Sequence, residues 1–189
     1  MEDNFALETL REKLIIAGIN EIRNHGIVDF SLRRVASECG ASCAAPYRHF
    51  ENKNELILEI IKFINNQWLL LENQIVEIYK TNTRKLILEL CLANVRFKLA
   101  NPDFRAVLTI NENNLNPMQR TELSRMNETI SVYIIKYAAE ENIPADKAKQ
   151  KLYVIKSLVY GAVIQAENGE ISSNDEMIKM VKESIEEVL

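Results

Sequence analysis

The chain is punctuated too sparsely for anything but long helices. Its 189 residues include only 5 Gly and 4 Pro, and most of these fall between segments whose apolar residues recur at threes and fours. A sheet of comparable size needs a breaker at each hairpin, so this economy leaves an all-α architecture. Leu7, Leu10, Leu14, Ala17, Gly18 and Ile22 define a first helix over about 6–24, stopped at His25-Gly26 where glycine supplies the C-terminal cap. Ser31 is a good N-cap for a short helix over 32–39 that turns Leu32, Val35 and Ala36 inward, and Gly40 ends it. Ser42 then caps a third short helix carrying Ala44, Ala45, Tyr47 and Phe50, with Pro46 near its first turn, where a missing N–H costs least.

Asn52 opens a long helix, and Glu55 stands where a capping box would reach back. Leu56, Ile60, Phe63, Ile64, Trp68, Leu71, Ile75 and Tyr79 continue its apolar stripe for more than five turns. Further helices are expected over about 84–99, from 101 through Leu108, and over 118–141, 144–167 and 175–189, with a polar loop at 111–117. No strand pattern, repeat or low-complexity tract interrupts this succession.

Charge sets a local problem. The net charge is −4 and the isoelectric point near 5.4, against the basic footprint expected of a nucleic-acid binder. Between Ser31 and Lys53, however, Arg33, Arg34, Arg48 and Lys53 outnumber Glu38 and Glu51, and a small basic face acts within about a Debye length whatever the rest of the body carries. Lys53 is informative by position. It falls in the first turn of a helix, where the macrodipole disfavours a cation, and free N–H groups beside a lysine make a phosphate site. A solvated lysine between Glu51 and Glu55 is the alternative.

Cys39, Cys43 and Cys91 form no CxxC and have no histidine cluster beside them, so no metal site, cofactor or disulfide is expected and a reducing cytoplasm fits. Cys43 lacks a resolving neighbour for redox sensing. The start is acidic, with no leader signature and no basic arm before Leu10. With only His25 and His49, and neither a Gly-rich phosphate loop nor H-E-x-x-H, no catalytic residues are expected and the chain does not read as an enzyme.

Three short helices with a glycine between the second and third make a helix-turn-helix pattern. Ser31-Leu32-Arg33-Arg34-Val35-Ala36, Gly40-Ala41-Ser42, Tyr47-Arg48-His49-Phe50 and Lys53 together resemble the N-terminal domain of TetR-family regulators, over about Leu10 to Leu58. The resemblance implies a helix-turn-helix domain over 1–52 and a helical effector-binding and dimerisation domain over 53–189. It implies that Tyr47, His49 and Lys53 touch DNA phosphates, and that Ser42, Cys43, Ala44 and Ala45 face base edges. Ser31 and Arg33, at the start of the second helix, would meet the DNA backbone, and Arg48 either the backbone or a guanine. Ala41 replaces the usual valine, and the apolar base-facing stretch offers few hydrogen bonds, so phosphates and DNA shape would carry more of the recognition. Phe50 reads as core, while Tyr47 is open to either role.

The resemblance further implies a cytoplasmic homodimeric repressor on a pseudo-palindromic operator, released by a small-molecule effector; a helical protein-interaction module with weakened DNA binding is the rival. Phe63, Trp68, Phe97, Met126, Tyr133 and Tyr137 are the candidate effector-pocket residues, with Arg96 or Asn94 available to a polar group. Leu152, Ile155, Val159 and Val163 on one helix, with Val181 and Ile185 on the next, form apolar stripes that would pair across a two-fold axis as a four-helix bundle. The alternative is that both stripes are intrachain core.

Overall fold

The computed structural model describes residues 9–108, 110–125 and 128–189, so Met126 and the start of the first expected helix lie outside the described residues. The described chain is all-helical: α1 (Leu10–His25), α2 (Leu32–Glu38), α3 (Lys53–Tyr79), α4 (Thr83–Ala100), α5 (Pro102–Leu108), α6 (Pro117–Ser124), α7 (Glu128–Glu140), α8 (Ala145–Glu167) and α9 (Asp175–Val188). The helix expected over 118–141 is described as α6 and α7, with residues 126–127 outside the described residues. By compactness the chain forms two units, one of residues up to Asn66 with Asp103–Leu123, the other of Gln67–Pro102 with Ser124–Leu189. The first unit therefore extends beyond residue 52 into α3, because the early turns of that helix supply much of its core.

In the first unit, α1 starts where Thr9 and Glu12 form a reciprocal capping box; the Glu12 carboxylate accepts the Thr9 N–H at 2.7 Å. Leu14, Ile15, Ala17, Ile19 and Ile22 are buried, together with Phe30, Val35, Ala36, Leu56, Ile57 and Ile60. Gly18 lets α1 approach α3 closely. A Cβ there would lie 2.5 Å from Ile60 Cδ1, and Ile60 is itself fully buried. Gly18→Ala is therefore expected to destabilise the protein by about 1–2 kcal/mol despite the better helix propensity of alanine, as read from urea denaturation; unchanged or increased stability would show that Ile60 moves aside freely.

The second unit is built around α4, which Asn82 caps by accepting the Lys85 N–H at 2.9 Å. From Leu86 to Val95 every α4 residue except Glu89 is buried, and the helix packs against α7, α8 and α9. The carbonyls at the end of α9 lack helical partners. They are taken by Arg84 (2.7 Å to Glu186 O), Tyr137 Oη (2.5 Å to Leu189 O) and Lys151 (to Val188 O). No helix among the described residues is long and apolar enough to cross a membrane.

Candidate DNA-binding surface

The surface begins with a buried carboxylate. Glu21 on α1 is 4% exposed and is held by the Arg34 guanidinium, whose Nε donates at 2.8 and 3.1 Å, and by the Ser31 N–H at 3.0 Å. Burial pushes this carboxyl up, but the hydrogen bonds from Arg34 and Ser31 outweigh it and hold it below the usual carboxylate range. Arg34 also donates to the Asp29 carbonyl, so the α1–α2 connection is tied at several points. Ser31 Oγ caps α2 by accepting the Arg34 N–H at 3.4 Å, and Ser31 is half-buried in that role.

At its C-terminus α2 closes in a Schellman arrangement. Gly40 adopts φ +64°, its N–H reaches Ser37 O at 3.0 Å, and Ala41 N–H reaches Ala36 O at 2.9 Å. The next segment departs from expectation. In place of a third α-helix capped by Ser42, the chain makes a turn and then a single 3₁₀ turn at Pro46–Arg48. Pro46 has no N–H for the Ser42 carbonyl and its ring crowds that position, so Ser42 O is taken by Ala45 N–H at 2.9 Å. Ala45 O then accepts from Arg48 at 3.1 Å, and Pro46 O from His49 and Phe50.

This tight coil divides its side chains cleanly. Ala45 and Pro46 are buried and Phe50 is 2% exposed, while Ser42, Cys43, Ala44, Tyr47, Arg48 and His49 face outward, Tyr47 at 61%. Ala45 is thus removed from the base-facing set, because it packs inward as the foot of the coil. The side chains of Arg33 and Arg48 are exposed and have no hydrogen-bond or ion-pair partner among the described residues, and the same holds for the Tyr47 side chain.

Lys53 is less free than its position suggests. Its ammonium donates to the Val28 carbonyl at 3.2 Å and stands 5.8 Å from the Phe30 ring centre, and the side chain is half-buried. Asn52 Oδ1 accepts the N–H groups of Asn54 and Glu55 at 2.8 and 3.2 Å, while the Glu55 carboxylate reaches the Glu51 N–H, one residue earlier than a capping box requires. The helix start is therefore already capped, and an arriving phosphate would meet the remaining Lys53 donors before free backbone groups.

A short helix fastened to α1, a glycine turn and a protruding cationic and aromatic coil are the parts of a helix-turn-helix DNA-binding regulator. Residues 14–60 match the family model described as "Bacterial regulatory proteins, tetR family". Over that segment the chain is similar to the N-terminal domain of the TetR family. Solved structures of like fold include a TetR family transcription regulator from Marinobacter aquaeolei VT8 (17% identity, 94% of each chain covered, TM-score 0.71). Others are PfmR, a TetR family transcriptional regulator from Thermus thermophilus (16%, 97% of each chain, 0.71), and the fatty acid degradation regulator FadR from Bacillus halodurans (13%, 95% of this chain and 94% of that one, 0.73). At these identities the likeness is one of fold. No curated protein matches the sequence.

The expected effector residues that are described fall in both units. Phe63 stacks edge-on with Phe104 in the first unit, at 6.1 Å between ring centres. In the second, Trp68 meets Phe97 at 5.5 Å and donates its indole N–H to buried Glu72, which also accepts from Thr129 at 2.7 Å. Tyr137 is buried on the end of α9, and Tyr133 lies under the Lys136 ammonium. Phe97 alone of the set lines the open groove of about 490 Å³ between α3 and α4, with Leu71, Ile75, Ile78, Ala93 and Arg96 among its walls.

The expected dimer stripe is also reassigned. Ile155, Val159, Val163, Val181 and Ile185 are buried within one chain, and Leu152 is half-buried, because α4 and the α8–α9 pair cover one another's apolar faces. The outward apolar residues of α8 and α9 are Tyr153 (74% exposed), Val154, Tyr160 and Met180. Tyr153, Val154 and Met180 border a shallow groove of about 570 Å³. Sequence periodicity locates the helices here but assigns the wrong faces to the surface.

Proposed function

We propose that the chain is a repressor that binds a pseudo-palindromic operator as a homodimer and is released by a small molecule bound in its second unit. The observation that carries the DNA reading is the Tyr47-Arg48-His49 projection, held rigid by the buried Ala45, Pro46 and Phe50 beneath it. In this reading Tyr47, His49 and Lys53 hold phosphates, with Arg33 beside them and Arg48 able to reach a guanine. Ser42, Cys43 and Ala44 offer little beyond a hydroxyl and apolar contacts, so affinity rests mainly on phosphates and shape. The functional division falls at residue 52, with the reader before it and the effector and dimer module after. Dimerisation uses the outward α8–α9 face around Tyr153, Val154, Tyr160 and Met180, which a second copy covers with the same patch. Effector and DNA then oppose one another as linked ligands.

Fluorescence anisotropy on a duplex from the gene's own upstream region tests this reading. Binding should weaken steeply between about 50 and 200 mM salt, and Lys53→Ala should reduce the logarithmic salt slope by about one. An unchanged slope would confine Lys53 to its Val28 contact. The rival reading, a protein-interaction module, is favoured by the loss of Ala45 from the reading face; it requires that no salt-dependent DNA binding be seen.

A further inference from the structure

Unit two contains a buried polar side chain with nothing to bond. Asn94 on α4 is fully buried, and both its Oδ1 and Nδ2 lack a hydrogen-bond partner. A buried amide in that state costs a protein so much that each case calls for a partner that completes it. One turn further along the same face stands Lys98, half-buried, with no hydrogen bond or ion pair among the described residues. Burial without a counter-charge pushes its ammonium down to about 8. Asn94, Phe97, Lys98 and Asn101 recur at threes and fours and so form one stripe. Phe97 and Asn101 of that stripe also line the apolar groove between α3 and α4.

We infer that this stripe is the head-group site for an organic carboxylate whose hydrocarbon part lies in the adjoining α3–α4 groove. The inference rests on the effector reading above and gives it a ligand class. Asn94 Nδ2 and Lys98 Nζ are both donors, and one carboxylate can accept from both. The Asn94 amide and the Lys98 ammonium would together anchor that one carboxylate. Inorganic phosphate fits less well, since it carries more charge than one ammonium offsets and has no apolar part for Leu71, Ile75 and Ile78. Arg96 and Glu89 also line the groove, and exposed Arg96 is the competing anchor for an anion.

Straight-chain carboxylates from hexanoate to hexadecanoate, their matched primary alcohols and inorganic phosphate are titrated into the full chain by calorimetry. A carboxylate should bind at least tenfold more tightly than its alcohol, and phosphate should not bind. Lys98→Met should collapse the carboxylate-to-alcohol ratio towards one, which a loss of packing would not do because it weakens both equally. Asn94→Leu should keep or raise the melting temperature while lowering carboxylate affinity at least tenfold. Equal affinity for acid and alcohol, tighter binding of phosphate, or a ratio lost in Arg96→Met but kept in Lys98→Met would each overturn the site. DNA affinity measured in the same samples separates the two readings. Carboxylate binding that leaves DNA affinity unchanged supports the site and removes its regulatory role. DNA release by another compound, with no carboxylate bound, overturns the site and keeps the effector reading.

Discussion

Phe50→Ala is expected to destabilise the protein by about 4 kcal/mol and to abolish specific DNA binding at temperatures where the parent is folded. The ring is 2% exposed at the end of the Pro46–Arg48 turn, with the Arg11 guanidinium 5.3 Å from its centre. Its removal leaves a cavity beneath the projecting coil, and truncations of buried aromatic rings fall in the range of about 3–5 kcal/mol. Phe50→Leu keeps most of the volume and should lose only about 1.5 kcal/mol. Denaturant unfolding followed by circular dichroism reads both. Loss of DNA binding in Phe50→Ala with stability unchanged would mean that the ring contacts DNA and is not the foot of the coil.

The second large effect concerns Glu21 and Arg34. Arg34→Met should destabilise the protein at neutral pH, because it leaves a buried carboxylate with only the Ser31 N–H and distant His25. Solvent moderates the loss, because Arg34 itself is nearly half exposed. The pH dependence has a definite sign. In the parent the folded-state pKa of Glu21 is depressed, so its stabilisation is complete above the unfolded carboxylate value of about 4.3 and is lost as pH falls through the lower folded value. In Arg34→Met burial is no longer offset, and protonation removes the buried charge. The gap between parent and variant should therefore narrow as pH falls from 7 towards 4. Urea denaturation across that range checks it, and a gap that stays constant would mean the guanidinium contributes packing alone.

The parts legible in the sequence are those governed by neighbours along the chain. Ser31 as the cap of α2, Gly26 and Gly40 as stops, and Asn52 as the cap of α3 all depend on contacts within a few residues, and each is found where the spacing places it. Pro46 is legible in principle. Its missing N–H is tolerable in a first turn, yet with Ser42 as the preceding partner it replaces the α-helix by successive tight turns. Glu21 gives no signal, since its partners lie ten and thirteen residues away across a loop, and an acidic residue inside an apolar stripe reads as surface. Asn94 stands in the sequence only as a polar residue near Phe97; that it is buried and unpaired depends on helices that cover it from elsewhere in the chain.

Sequence alone thus determined that the described chain is all-helical and where most of its helices start and stop, because periodicity and capping are local. Which apolar face meets which partner was decided only in three dimensions. Ile155, Val159, Val163, Val181 and Ile185 show the amphipathic pattern of an interface, and the pattern is real. Burial of an apolar stripe is favourable whatever covers it, and here α4 of the same chain covers it, leaving Tyr153, Tyr160 and Met180 to face outward.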